Sequence, residues 1–255
     1  MNWRGILTAV AAVILLQACA SQPEQYSGRD LNEASRVNTE LGISYMQQGS
    51  LNLAMDSLKK AVEQDRSNAQ AHAVLGVLHE RLEQYDRAEA SFRRSIRLES
   101  GVSWVHNNFG RFLCNRGNYR EAQEQFRLAM QDPLYERREL PLANAGACAL
   151  RAGNDSEASE FLRRALEHSP NFAPALFEMA RLQYRQEDYR SARDYFDRFR
   201  NVSGMNAEAL LLGIRIEHAL GNLDDAASLA LRLRADYPDS EELRDYRQME
   251  RDGTL

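Results

Sequence analysis

An all-α, right-handed superhelix of six helix-turn-helix repeats is the fold the sequence predicts, and three observations predict it. An alanine recurs at Ala54, Ala88, Ala122, Ala158, Ala192 and Ala226, in steps of 34, 34, 36, 34 and 34 residues. A small residue upstream (Gly42, Gly76, Gly110, Gly146, Ala180) is matched by a large one downstream (Leu58, Phe92, Phe126, Leu162, Phe196). Between them, glycine recurs at Gly49, Gly117, Gly153 and Gly221. Self-similarity at a fixed period near 34 residues is the mark of a helical repeat array.

The residue types make physical sense as two antiparallel helices and a turn. Small side chains at the Gly110 and Ala122 positions let the helices approach at the short end of the usual ~8–10 Å separation. Phe126 and its counterparts fill the remaining space. A glycine ending the first helix can take the left-handed C-cap conformation that a Cβ disfavours. The polar residues that follow (Ser50, Asn118, Asn154, Asn222) are expected to cap the second helix. One such pair has too little core to stand alone, so stacking must complete it.

Taken in order, the units fall at 35–68, 69–102, 103–136, 139–172, 173–206 and 207–240. The order of small and large residues, glycine turn, A-x3-F-x2-A and closing proline in the third unit resembles the tetratricopeptide repeat (TPR). Two extra residues between Pro133 and Pro141 predict a longer connection between the third and fourth units. The sixth unit is atypical, with Gly213 where a large residue is expected and Leu233 where a small one is. Residues 241–255 are expected to form a capping helix and tail. Asp30 with Glu33 reads as a helix N-cap and its partner, so the first helix should begin ahead of the repeat.

The start of the chain is a separate object. Trp3-Arg4 leads into an apolar run of eleven residues, Ile6 to Leu16. That is shorter than the roughly 20 residues a spanning helix needs, so 1–18 reads as a signal peptide. Leu16-Gln17-Ala18-Cys19 resembles the cleavage site of bacterial lipoproteins, which implies that Cys19 becomes the lipidated first residue. The absence of Asp after it implies, by the same resemblance, the periplasmic face of the outer membrane. Residues 19–34 then form the lipidated cysteine and a polar tether.

No motif for catalysis is present: there is no Gly-rich phosphate loop, G-x-S-x-G, H-E-x-x-H or CxxC, and the chain is not expected to be an enzyme or to carry a cofactor beyond the lipid. A net charge of −5 with no basic arm argues against nucleic-acid binding. His72, His79 and His106 would be the ligands of a metal site if one existed. Their repeat positions favour the alternative, that they replace core aromatics. Cys114 and Cys148 sit two positions apart within their helices, a rotation of about 200°, and are expected to stay unpaired with Cys148 buried.

TPR arrays present first-helix residues on their concave side, and the resemblance carries that expectation to specific positions here. They are Trp104, Asn107, Asn108, Arg111, Asn115, Asn144, Arg151, Phe177, Arg181, Tyr184, Arg185 and Arg215. Asparagine can bond both N–H and C=O of an extended peptide, and arginine can clamp a carboxylate through two bonds. The first two repeats contribute an apolar set, Ile43, Met46, Val74 and Val77.

The segment NNFGRFLCNRGNYREAQEQFRLAMQDPLY, with Asn-Asn-aromatic-Gly, Phe-Leu-Cys and Pro-x-Tyr, is similar to the TPR lipoproteins of type IV pilus biogenesis, the pilotins of the pilus secretin. That resemblance implies a lipid-anchored scaffold for pilus assembly and twitching motility. It would bind secretin subunits and promote their outer-membrane placement and multimerisation. A scaffold for outer-membrane protein insertion or peptidoglycan synthesis, built on the same anchor and fold, is the alternative, and a metal-dependent protein built on the three histidines a remoter one.

Overall fold

A computed structural model describes residues 28–133 and 135–254. Among the described residues the chain is wholly helical, with thirteen helices: α1 Gly28–Gln47, α2 Leu51–Gln64, α3 Ala69–Arg81, α4 Tyr85–Leu98, α5 Ser103–Asn115, α6 Tyr119–Ala129, α7 Glu139–Arg151, α8 Asp155–His168, α9 Ala173–Arg185, α10 Tyr189–Val202, α11 Ala207–Ala219, α12 Leu223–Asp236 and α13 Glu241–Asp252. The predicted signal peptide, the predicted lipidation site Cys19 and most of the predicted tether fall outside the described residues. The chain divides into two compact units, 1–71 and 72–255.

In the first unit, α1 packs on α2. Ala54 and Leu58 are fully buried, and a Cβ added to Gly42 would lie 2.6 Å from Leu58. Polar bonds tie the pair as well. Ser35 Oγ donates to the Ala61 carbonyl at 2.7 Å, and Asn38 Nδ2 to Gln64 Oε1 at 2.9 Å. α1 does begin ahead of the repeat, but Asp30 lies inside the helix and not at its cap, and Glu33 pairs with Arg36 at 2.6 Å instead of closing a capping box.

In the second unit the same pairing repeats. A Cβ at Gly76, Gly110 or Gly146 would meet Phe92 at 2.9 Å, Phe126 at 2.7 Å or Leu162 at 2.6 Å, so glycine at these positions is what lets the helices close. The turn glycines Gly117, Gly153 and Gly221 take φ of 78°, 79° and 79°, as expected of left-handed C-caps. Repeats two and five lack that glycine. Glu83 (φ 57°) and Glu187 (φ 61°) hold the left-handed turn there, against a steric preference of about 1–2 kcal/mol. Of the four proposed caps only Asn154 accepts a helix N–H, from Glu157. Asn118 and Asn222 bond acidic side chains, and Ser50 makes no side-chain cap bond.

The sixth repeat is consistent once both sides of its interface are read together. Ile214 stands where the other repeats have glycine or alanine, and Ala230 where they have phenylalanine or leucine; both are buried in one cluster with Leu210, Leu229 and Leu233. Large and small have changed sides. Gly213 is small because Phe196 of the fifth repeat fills its space, 2.5 Å from where a Cβ would be. The final helix α13 covers this end of the array with Leu243 and Tyr246.

Connections between repeats elsewhere in this unit take four residues, as at 99–102, 169–172, 203–206 and 237–240. That between the third and fourth takes 130–138, because α6 ends at Ala129 while its counterparts run fourteen residues. The longer connection is as expected, and it consumes three residues of helix as well as the two inserted ones.

Cys114 and Cys148 are not free: they form a disulfide joining α5 to α7, with Cα atoms 5.8 Å apart. The expectation of two unpaired cysteines is thereby corrected. In a stack, the forward face of one first helix meets the backward face of the next. A pair must then sit on opposite sides of their helices, and a rotation of about 200° is what brings the two thiols together.

Candidate functional site

The predicted polar residues of repeats three to six lie in the second unit, and the structure links many of them into a ladder crossing successive first helices. Arg111 on α5 donates to both carboxylate oxygens of Glu80 on α3, at 3.1 and 2.7 Å. Asn115, one turn further, also reaches Glu80 and accepts from Arg151 Nη1 of α7 at 2.7 Å. Asn144 Nδ2 donates to Asn107 Oδ1 at 2.9 Å, a second rung between α5 and α7. Arg181 on α9 pairs with Glu178 at 3.2 Å and with Glu208 of α11 at 3.6 Å. Arg185 is ion-paired with Asp155 and donates to the Leu150 carbonyl.

Between α5, α7 and α9 the ladder opens into a cleft of about 260 Å³, with Arg111, Asn115, Asn144, Arg151 and Glu178 on its walls. Ala143, Ala147 and the disulfide-bonded Cys114 also line it. Burial pushes the Glu178 carboxyl above its ordinary value, partly offset by the adjacent Arg181. A low-dielectric setting of this kind strengthens charge-assisted bonds to any group that enters.

Other predicted residues have different surroundings. Phe177 packs against Phe199 with ring centroids 5.2 Å apart, and Tyr184 against Tyr189 at 5.5 Å. Trp104 is half-buried on the core of the third repeat, and Asn108 bonds the Trp104 carbonyl. Arg215 donates to the Met249 sulfur at 3.4 Å. In the apolar set, Met46 and Val74 are buried and leave little surface for a partner, while Ile43 and Val77 are partly exposed.

His106 is 3% exposed, and both its ring nitrogens are engaged, Nδ1 with Gln125 at 2.8 Å and Nε2 with the Ser100 carbonyl at 2.7 Å. His79 Nδ1 lies 2.9 Å from Gln84 Oε1. Among the described residues no group of three or more His, Cys, Asp or Glu is placed to hold a metal ion.

Sequence reasoning missed the acidic half of the ladder. Glu80, Asp155, Glu178 and Glu208 are absent from the predicted set. Three of the four are bonded to an arginine about one repeat away in the chain, and that spacing was the signal available.

Comparison with known proteins puts this geometry in context. The model for the tetratricopeptide repeat family matches residues 39–101 and 177–241. The type IV pilus assembly protein PilF of Pseudomonas aeruginosa is 34% identical over 250 residues, spanning 94% of this chain and 98% of that protein. A solved structure of Pseudomonas aeruginosa PilF superposes with a TM-score of 0.76 at 34% identity, over 86% of this chain and 98% of that one. PilW, described as a widely conserved type IV pilus biogenesis factor, superposes with a TM-score of 0.78 at 32% identity, over 84% of this chain and 99% of its own.

Proposed function

Because the chain belongs to the tetratricopeptide-repeat family of type IV pilus assembly proteins that includes PilF and PilW, we propose that it is the pilotin-type scaffold of a pilus secretin. In this role it is held on the periplasmic face of the outer membrane by a lipid on Cys19. It binds secretin subunits and promotes their outer-membrane placement and multimerisation. The observation that carries the reading is a correspondence with a type IV pilus assembly protein over 94% of this chain and 98% of that protein.

Two physical features support it. A scaffold needs a surface that presents directional polar groups without chemistry of its own, and the ladder of Arg111, Asn115, Asn144, Arg151 and Arg181 is such a surface. The lipobox-like Leu16-Gln17-Ala18-Cys19 supplies the anchor. Anchoring confines the search for subunits to the membrane surface and raises their effective concentration there. A single acyl chain holds a protein only marginally and several hold it stably, so lipidation governs location and leaves the fold untouched.

A crosslinked pulldown from native membranes, with monomers and multimers resolved, tests the reading. Recovery of a secretin is the expected result. Recovery of a barrel-insertion component or a peptidoglycan synthase in its place would overturn it.

A further inference from the structure

The arginines of the ladder differ in one respect. Arg111, Arg181 and Arg185 each hold a carboxylate of this chain, Glu80, Glu178 with Glu208, and Asp155. Arg151 and Arg215 have no ion pair among the described residues, and of these only Arg151 lines the cleft. Its Nη1 donates to two uncharged acceptors, Asn115 Oδ1 at 2.7 Å and Cys114 Sγ at 3.9 Å. Its Nε and Nη2 edge, the side of a guanidinium that grips a carboxylate through two parallel bonds, has no acceptor among the described residues.

The surroundings suit an incoming carboxylate. Two arginines and one glutamate line the cleft. Arg111 is held by Glu80 and Glu178 by Arg181, while Arg151 feels Glu178 across the cleft without forming an ion pair with it, and the chain as a whole carries −5. The disulfide joins α5 and α7 three residues before Arg151, which holds the backbone positions of Asn115 and Arg151 side by side, and Arg151 donates to Asn115 across them. Asn144 gives its Nδ2 to Asn107, and its Oδ1 accepts from no group among the described residues. A volume of about 260 Å³ falls below the roughly 300 Å³ at which drug-sized sites begin. It fits a side chain with its adjoining backbone, not a cofactor.

On the scaffold reading above, on which this step rests, we propose that the cleft receives a glutamate or aspartate side chain of an extended partner segment. The free edge of Arg151 holds the carboxylate, and Asn144 Oδ1 accepts from the neighbouring backbone N–H. An arginine ending a helix is also favoured by the helix dipole. Lysine would serve the dipole equally well but lacks the two-bond fork, so the two explanations separate on Arg151→Lys.

The test is a titration of the isotope-labelled full chain in detergent with the peptide Gly-Ser-Glu-Ser-Gly, acetylated and amidated, against its Gln counterpart. Side-chain signals of Arg151 and Asn144 are expected to shift with the Glu peptide. The Glu peptide should bind about tenfold more tightly than the Gln peptide, and Arg151→Gln should abolish the difference. Arg151→Lys should recover only part of it, and thermal melts of both variants should match the parent. Equal affinity for the two peptides, or Arg151→Gln binding the Glu peptide like the parent, overturns the site. Glu-peptide binding as expected alongside failure to recover a secretin from membranes supports the site and overturns the scaffold reading. Secretin capture by Arg151→Gln at the parent level does the reverse.

Discussion

Two junctions of the second unit solve the same problem differently. Between the fifth and sixth repeats the connection is short, and apolar packing closes the interface: Phe196 fills the space over Gly213, while Phe199, Ala209, Leu212 and Ile216 complete the seam. Between the third and fourth, the connection runs through 130–138, α6 is a turn shorter, and a disulfide fastens α5 to α7. That same junction borders the polar cleft. Where side chains interdigitate fully there is no space for a ligand. A covalent tie holds the helices together without filling the space between them, and so permits a cleft there.

The largest expected effect comes from removing that tie. Cys114→Ser with Cys148→Ser should lower stability by about 2–4 kcal/mol in urea unfolding, in line with closure of a loop of this size. Hydrogen exchange should rise first in α5 and α7, with α11 and α12 little changed. Uniform loosening of the whole array would break the comparison.

At the packed junction, Ala230→Phe restores the side chain usual at that position and should overpack against Ile214, costing about 1–3 kcal/mol. Adding Ile214→Gly should recover part of that loss, because the pair would then match the other repeats. A double variant no better than the sum of its singles would show that the exchange of large and small is not a coupled one.

The fold was legible because its signals are local and repeated. Gly110, Ala122 and Phe126 recur at one spacing, and each close approach needs a residue of one size. The ladder was half legible. Its arginines and asparagines stand out in an acidic chain, but Glu80 and Glu208 become partners only when first helices stack, which composition does not reveal. The disulfide was misread because equivalent positions were compared, whereas stacked helices touch through opposite faces. Glu83 and Glu187 give no cue at all, since the left-handed turn is imposed on them by the helices either side.

That last point yields a smaller effect. Glu187→Gly should stabilise by about 0.5–1 kcal/mol, measurable as a raised melting temperature, because relief of the left-handed strain exceeds the backbone entropy that glycine adds. Gly221→Ala at the equivalent turn should do the opposite.

The smallest effect concerns Glu178 in the cleft wall. Burial raises its carboxyl above the ordinary value of 4.5, so the folded chain binds that proton more tightly than the unfolded chain. The associated stability is present below the ordinary value and is lost as pH rises through the higher folded one. Glu178→Gln should flatten the stability profile as pH rises above the ordinary carboxylate range. A variant profile parallel to that of the parent would remove the electrostatic account of the cleft.

The scaffold function itself is tested most directly by the state of the secretin in cells. In a strain lacking this protein, the parent chain and Cys19→Ala are expressed at equal levels, and secretin multimers are measured in separated membranes. Multimers in the outer membrane with the parent chain, and monomers failing to reach it with Cys19→Ala, are predicted. Equal multimer levels in the outer membrane with and without the protein would contradict the account.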